Sequence, residues 1–345
     1  MGIPLAEVVE GKLYYGIKTG LNEAFIIDRR PRDRLVASDT ASAEIIKPVL
    51  RGEDLRPWYQ KDSESWIIFT RRGIKLDKYP AVAEYLTGYR KQLEPRPADW
   101  DTRQNWPGRK AGSYKWFEIQ DTVEYHEKFA STKIFWPDIA KLPRFSWSEE
   151  GKYVNDTGFF LSTADPALLG ILQSRVSWFA ISNTAIPLRL RAGLWQYRLK
   201  TQFLSRLPIP PAPPAESKAI GALAMQVTKH VRDRYALHER VRHRIATDLD
   251  TASRGLNQKL TAWWGLDFPA FRAEVKKALR QEIPLRDRDD WQAWLSDGRA
   301  EHQQHTTEIV RLETELNARV YELFDLSPAE IQIIEESTKY RYGEV

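Results

Sequence analysis

The run Leu207-Pro-Ile-Pro-Pro-Ala-Pro-Pro214 constrains this chain more than any other stretch. Proline fixes its own φ, lacks a backbone N–H and pushes the residue before it out of the helical region. Consecutive prolines therefore favour a stiff, extended segment and forbid helix, which predicts a linker. The patterning changes across it. Before it, short runs of β-branched and aromatic residues are bounded by turn residues, the mark of strands. After it, Ser217 to about Ile245 carries Ile220, Leu223, Ala224, Val227, Val231 and Tyr235 at helical spacing. His238 interrupts that stripe, and Val241 and Ile245 resume it. A second stripe, Ile309, Leu312, Leu316, Val320 and Leu323, predicts another long helix. Between them, shorter helical patterns that include Trp291–Trp294 are punctuated by Pro269 and Pro284. Ser327 is expected to cap a last helix, with Glu330 completing a capping box. The expectation is an α+β chain: a mostly β domain at about 1–213, then a helical domain at about 214–345 with a long antiparallel helix pair.

A length of 345 residues favours two cores over one. A hydrophobic content of 42% with 12% aromatics argues against global disorder. The absence of cysteine excludes disulfides and thiolate metal sites, and fits a reducing compartment. His230, His238, His243, His302 and His305 show no ligand spacing, since His238 and His243 face different sides of a helix. A net charge of +5 and a pI near 9.1 permit nucleic acid as a partner without requiring it. No cationic segment followed by an apolar core opens the chain, and no apolar run approaches the ~20 residues of a membrane helix. A soluble, cytoplasmic protein with no membrane partner is expected.

Within the first part, Ile45–Leu50 reads as a buried strand and Arg51-Gly52-Glu53-Asp54 as a turn in which Gly52 is free to take a positive φ. Lys47, Arg51 and Arg56 lie on or just after this strand, and Trp58 and Tyr59 follow with flat faces. A second strand, Ser65–Thr70, ends in Arg71-Arg72-Gly73. Such a platform suits cations held against a phosphate backbone, although an ordinary hairpin with solvated arginines has the same pattern. Pro95 to Gly112 forms a long aromatic loop carrying Arg109 and Lys110, and Lys115 follows it. Loops of that length in a compact domain tend to be functional. Lys133–Ile139 reads as a strand whose Pro137 argues for an edge or a bulge. Residues 185–199 alternate, which puts Arg189 and Arg191 on one face and Leu188 and Leu190 on the other, packed inward. The candidate DNA contacts are Lys47, Arg51, Arg71, Arg72, Arg109, Lys110, Lys115, Lys141, Arg144, Arg189 and Arg191. Arg or Lys suits guanine edges and phosphates alike, so none is assigned to a base.

Five motifs resemble, in order, the TaqI-like C-terminal specificity domain. They are Gly16-Ile-Lys-Thr-Gly-Leu-Asn-Glu-Ala-Phe25, Ile46-Lys-Pro-Val-Leu-Arg-Gly-Glu-Asp54, Lys133-Ile-Phe-Trp-Pro-Asp-Ile-Ala140, Asn155-Asp-Thr-Gly-Phe-Phe160 and Thr201-Gln-Phe-Leu-Ser-Arg-Leu-Pro-Ile-Pro210. Trp263-Trp-Gly-Leu-Asp-Phe268 and Leu316–Ile331 are similar to the closing helical region of the same proteins. That domain is the back half of type II, often type IIG, restriction-modification enzymes and N6-adenine methyltransferases. The resemblance implies a target-recognition module that binds double-stranded DNA and works with an adenine methyltransferase domain or subunit in phage defence.

The catalytic half is absent. Asn155-Asp-Thr-Gly-Phe159 has no prolines and cannot stand for the Asn-Pro-Pro-Tyr loop, and no Gly-rich loop serves S-adenosylmethionine. That cofactor is expected in the partner or missing domain. Gly16-x-x-x-Gly20 lacks the Lys-Ser/Thr of a phosphate loop. Asp121 and Glu124–Lys128 lack a nuclease arrangement, and no metal site is expected. The chain alone is therefore expected to perform no chemistry. The alternative is a protein-interaction module that docks a methyltransferase or nuclease without reading DNA.

Overall fold

The computed structural model of the chain describes residues 2–62, 64–101, 103–149, 151–249 and 255–344. The fold is α+β, about 50% helix and 16% strand. It divides into two compact units: Met1–Gly221 with Val320–Lys339, and Ala222–Arg319 with Tyr340–Val345.

In the first unit, one antiparallel sheet has the order Leu13–Tyr15, Gly158–Ser162, Lys133–Pro137, Ser146–Ser148. A second has the order Ile26–Asp28, Ser65–Ile68, Ile46–Leu50, Tyr153–Val154, its last pair parallel. The two share a core in which Phe25, Ile67, Phe129, Phe135 and Phe160 are fully buried. Lys133–Pro137 is an inner strand, contrary to the edge or bulge its proline suggested. Pro137 is its last residue, opposite Gly158 and beyond the pairing with Ser146–Ser148, so its missing N–H interrupts no ladder on that side.

The proline run is only partly a spacer. Pro208–Ile209 forms a short antiparallel pair with Ile3–Pro4, and the Leu5 N–H donates to Leu207 O at 2.9 Å. Pro214 opens the following helix, Pro214–Asp248, at the first turn where a proline is tolerated. At the far end, Ser327 and Glu330 form the expected capping box of Pro328–Ser337. Glu335 of that helix pairs with the buried Arg175 and accepts the Tyr321 hydroxyl at 2.5 Å. A fragment ending at residue 213 omits Glu335 and leaves a buried guanidinium without its carboxylate, which is costly. Such a fragment should melt below the intact first unit, and adding a 320–339 peptide should raise its melting temperature by several degrees. A melt unaffected by the peptide would place the stability of 1–213 in its sheets alone.

The second unit is helical. Residues of Pro214–Asp248 meet those of Arg288–Leu323 in antiparallel order, His230 with His305, His238 with His302 and Arg240 with Glu301. Trp291 and Trp294 belong to the long helix itself, not to a separate segment, because the turn at Leu285–Asp287 leads directly into it. Between the long helices, Phe268–Leu279 is capped by Asp267, which accepts the Ala270 N–H at 2.8 Å. Val241, Ile245, Trp263, Phe271 and Leu295 form the core.

Candidate nucleic-acid interface

The site is built in the first unit on the Arg51–Asp54 turn. Asp54 accepts the Arg51 N–H at 2.7 Å, and the Gly52 N–H donates to Thr157 Oγ1 at 2.7 Å. Gly52 does not take the expected positive φ; its role is close approach. A Cβ there would lie 2.3 Å from Thr157 O, well inside contact distance. Gly16 is required for the same reason, since its Cβ would meet Asn155 O at 1.8 Å. The Asn155 N–H donates to Leu50 O at 3.0 Å, and Asn155 Oδ1 accepts the Thr157 hydroxyl at 2.5 Å. Three motifs far apart in the chain, around Gly16, Gly52 and Asn155, thus lock together and present Arg51 from a rigid turn.

The second wall is the hairpin Ile186–Arg191 and Leu194–Arg198, whose base pairs with Ile139–Ala140. Its tip, Ala192-Gly193, has φ of +52° and +77°, the two left-handed residues of a tight hairpin turn. Register places Arg189 opposite Gln196 and Arg191 opposite Leu194 on one face, and Leu190 opposite Trp195 on the other. Arg189 Nε donates to Gln196 Oε1 at 2.7 Å. Residues 185–200 contain Arg189, Arg191, Arg198 and Lys200 and no acid. The expectation that Leu188 and Leu190 pack inward is corrected: they are 42% and 59% exposed, and Trp195 is 48% exposed. Leu188 falls at a register shift between Pro187 and Arg189. Every residue of Ile186–Arg191 is exposed.

Arg51, Gly52, Arg144 and Gln196 line a cleft of about 680 Å³ together with the acids Glu23, Glu53 and Asp138, and Arg51 lies 3.9 Å from the Glu53 carboxylate. Burial pushes the Arg144 guanidinium down to about 10, with Arg56 adding like-charge repulsion, so it is charged at neutral pH. Its Nε is buried without a protein partner. An arginine desolvated on one side and open to a cleft on the other is poised to donate to an anion or a base edge. Gln196 was passed over in the sequence. Its signal was positional, two residues before Arg198 in an alternating strand.

The other candidates fall elsewhere. Arg109 is corrected as a ligand contact: it is 4% exposed and donates to the carbonyls of Leu93, Thr19, Glu118, Lys115 and Trp116 at 2.7–3.2 Å. It holds the long loop closed. Arg72 is likewise engaged, donating to Gln120 O at 2.8 Å and Ser113 Oγ at 3.1 Å and lying over the Tyr114 ring. Arg71, Lys110 and Lys115 are exposed on the same loop system. Lys47 is half-buried within Ile46–Leu50, and Lys141 is half-buried just after Ile139–Ala140. Among the described residues, no group of three or more His, Asp or Glu side chains is placed to hold a metal ion, and no helix is long and apolar enough to cross a membrane.

A family described as a domain of unknown function, DUF8810, matches residues 213–320. The type II methyltransferase M.BanIII of Aneurinibacillus aneurinilyticus is 22% identical over 218 residues, 57% of this chain and 34% of that protein. Human cytohesin-4 is 30% identical over 79 residues, 23% of this chain and 20% of its own length. The type IIL restriction-modification enzyme MmeI, solved in complex with DNA, aligns over 98% of this chain and 36% of its own, with a TM-score of 0.53 and 12% sequence identity. That likeness is one of fold. The chain spans about a third of the length of M.BanIII and of MmeI.

Proposed function

We propose that this chain binds double-stranded DNA with sequence preference, as the specificity module of a restriction-modification N6-adenine methyltransferase of the TaqI-like, type IIG kind in phage defence. The observation that carries the reading is the acid-free hairpin, whose Arg189–Gln196 face meets the cleft of Arg51 and Arg144. A two-stranded ribbon fits the major groove, where Arg51 and Gln196 are suited to guanine and adenine edges while the hairpin arginines follow phosphates. The resemblance of the ordered motifs, the fold likeness to MmeI and the similarity to M.BanIII support it. The recognition part is placed at about 1–213, and the helical part at 214–345 docks the methyltransferase domain or subunit, which holds S-adenosylmethionine. Arg51 and Arg144 take the lead among contacts, with Lys47, Arg71, Lys110, Lys115, Lys141, Arg189 and Arg191 around them, in a cytoplasmic protein.

Selection from a random duplex pool should enrich a short motif, and labelled S-adenosylmethionine with the chain alone should transfer no methyl group. No enrichment, with retained binding to a methyltransferase, would favour a docking module instead.

Arg189 and Arg191 are assigned to phosphates. Arg189→Ala/Arg191→Ala should flatten the slope of log affinity against log salt by about 0.9 per lost contact, on preferred and scrambled duplexes alike. Arg51→Ala should instead cost on the order of 1–3 kcal/mol on the preferred site and relax preference at one position. Unchanged salt slopes would put the hairpin arginines outside the interface.

A further inference from the structure

A second cavity in the first unit, of about 640 Å³, lies where Leu13–Tyr15 runs into the Gly16 crossing. Its size is that of a small-molecule site. Three features distinguish it from an incidental depression.

The first is a fixed, open aromatic face. Tyr15 is 55% exposed, yet its hydroxyl accepts from Thr201 Oγ1 at 2.8 Å and its main-chain carbonyl accepts the Tyr125 hydroxyl at 2.7 Å. Phe159 braces it edge-on with ring centres 5.4 Å apart. Tyr15 thus offers a flat surface without having to be ordered by a ligand.

The second is a set of acids, Asp121 and Asp138 half-buried and Asp156 exposed, lining the cavity together with cations. Asp121 and Asp156 line the cavity, and burial raises both carboxyls. Asp121 uses one oxygen to accept the Lys18 N–H at 2.8 Å. Asp138 pairs with Arg198 at 3.2 Å through one oxygen, while its other oxygen is buried without a protein partner. Lys18 and Lys200 supply positive charge at the lining.

The third is backbone strain. Val123, which lines the cavity, has φ of +46°, a region that a β-branched residue rarely enters. Such strain persists only where the surroundings impose it, and it concentrates at binding sites.

We propose that this cavity binds a nucleotide whose base carries an exocyclic amine, the ring lying on Tyr15, the amine donating to Asp121 or Asp156, and the phosphate meeting Lys18 and Lys200. Adenine and cytosine present such an amine, whereas thymine presents a carbonyl and a methyl group, which acids do not favour. Asp138 lines both this cavity and the cleft of Arg51 and Arg144, so a nucleotide turned out of a duplex in that cleft is one source and a free nucleotide is the other. The extrahelical source rests on the DNA reading above; the free source does not.

The test is ligand-observed NMR and titration of the full chain with dAMP, dCMP and dTMP, alongside anisotropy on a paired duplex and on the same duplex with one unpaired 2-aminopurine. We expect dAMP and dCMP to bind at least ten-fold tighter than dTMP. Asp121→Asn keeps an acceptor for the Lys18 N–H, so the fold should persist while that preference narrows to about two-fold. Lys18→Ala should weaken all three nucleotides equally and leave the preference intact. Equal binding of dTMP, or indifference to Asp121→Asn, overturns the proposal. If the paired duplex binds but no mononucleotide does, and the unpaired base adds neither affinity nor a fluorescence change, the proposal fails and the DNA reading stands. If mononucleotides bind with the stated preference and no duplex binds, the cavity stands with a free nucleotide as its ligand and the DNA reading fails.

Discussion

Replacing Arg109 by alanine should destabilise the first unit by about 3 kcal/mol or more, the range for breaking a buried charged network. Five carbonyls would lose this donor at once, those of Thr19, Leu93, Lys115, Trp116 and Glu118, of which Thr19 O keeps the Gln120 N–H and Lys115 O keeps the Glu118 N–H. Each carbonyl that water cannot reach costs on the order of 1–3 kcal/mol when left unpaired, though relaxation of the loop recovers part of it. The guanidinium also lies over the Tyr114 ring at 4.3 Å. Burial lowers its pKa to about 10, so it is protonated at neutral pH and every donor is in use. Glu118, itself buried, holds the same loop from the other side by accepting the N–H groups of Gly73 and Lys115, both at 2.9 Å. Lysine should rescue poorly, because a single ammonium cannot span contacts that a planar fork reaches together. A loss of this size should lower the melting temperature by about 6 °C or more. Lys110→Ala, next in sequence and exposed, should stay within about 0.5 kcal/mol of the parent. A thermal melt of Arg109→Ala within a degree of the parent would show that water serves these carbonyls.

That contrast explains what the sequence could and could not reveal. Local chemistry was legible. The stripes predicted the long helices, Ser327 and Glu330 predicted a cap, and Ile45–Leu50 read as a strand that the structure forms over Ile46–Leu50. Long-range facts were not. Arg109 and Lys110 are adjacent cations in one basic loop, and only the convergence of carbonyls from residues 19 and 93 to 118 decides that one is buried and the other free to face solvent. Gly52 read as a turn glycine because a turn is the local reason for one, whereas its partner, Thr157, is 105 residues away. The hairpin arginines were placed on one face correctly, but alternation carries an assumption that the other face is covered. Leu190, in a two-stranded hairpin tip, is instead largely exposed. The cleft has the same character: Arg51, Arg144 and Gln196 each had a local reading, and their meeting is a product of sheet topology.

The helical unit should lose stability steeply in mild acid, because its long helices are joined through neutral histidines. His238 Nε2 and His302 Nδ1 lie 2.9 Å apart, so a single proton serves both, and a second proton on the facing nitrogen would set two donors against each other. Trp264 stacks on His238 with ring centres 3.9 Å apart. Burial pushes His238 down to about 3, helped by His302, Arg242 and Arg234, and pushes His302 down to about 4, helped by Arg234 and His305. Near them, His230 faces His305 at 3.2 Å, and Arg240 pairs with Glu301 at 2.8 Å. Both folded values lie below the ordinary 6.5, so the unfolded chain takes up protons first. Their contribution is fully present above pH 6.5 and is lost as pH falls from there toward 4 and then 3. For His238 the loss approaches about 1.4 kcal/mol per pH unit within that window. His302, about half open to solvent, adds less. Urea unfolding at pH 7.0 and 4.5, read by tryptophan fluorescence, should show this slope for the parent chain. His238→Phe keeps a ring against Trp264 and cannot titrate, so its loss between the two pH values should be smaller by about 2 kcal/mol. Carboxylates also titrate in this range, but they titrate in both proteins, and the difference isolates the histidine. Parallel pH profiles for parent and variant would mean that His238 takes its proton in the folded state without opening the helix pair.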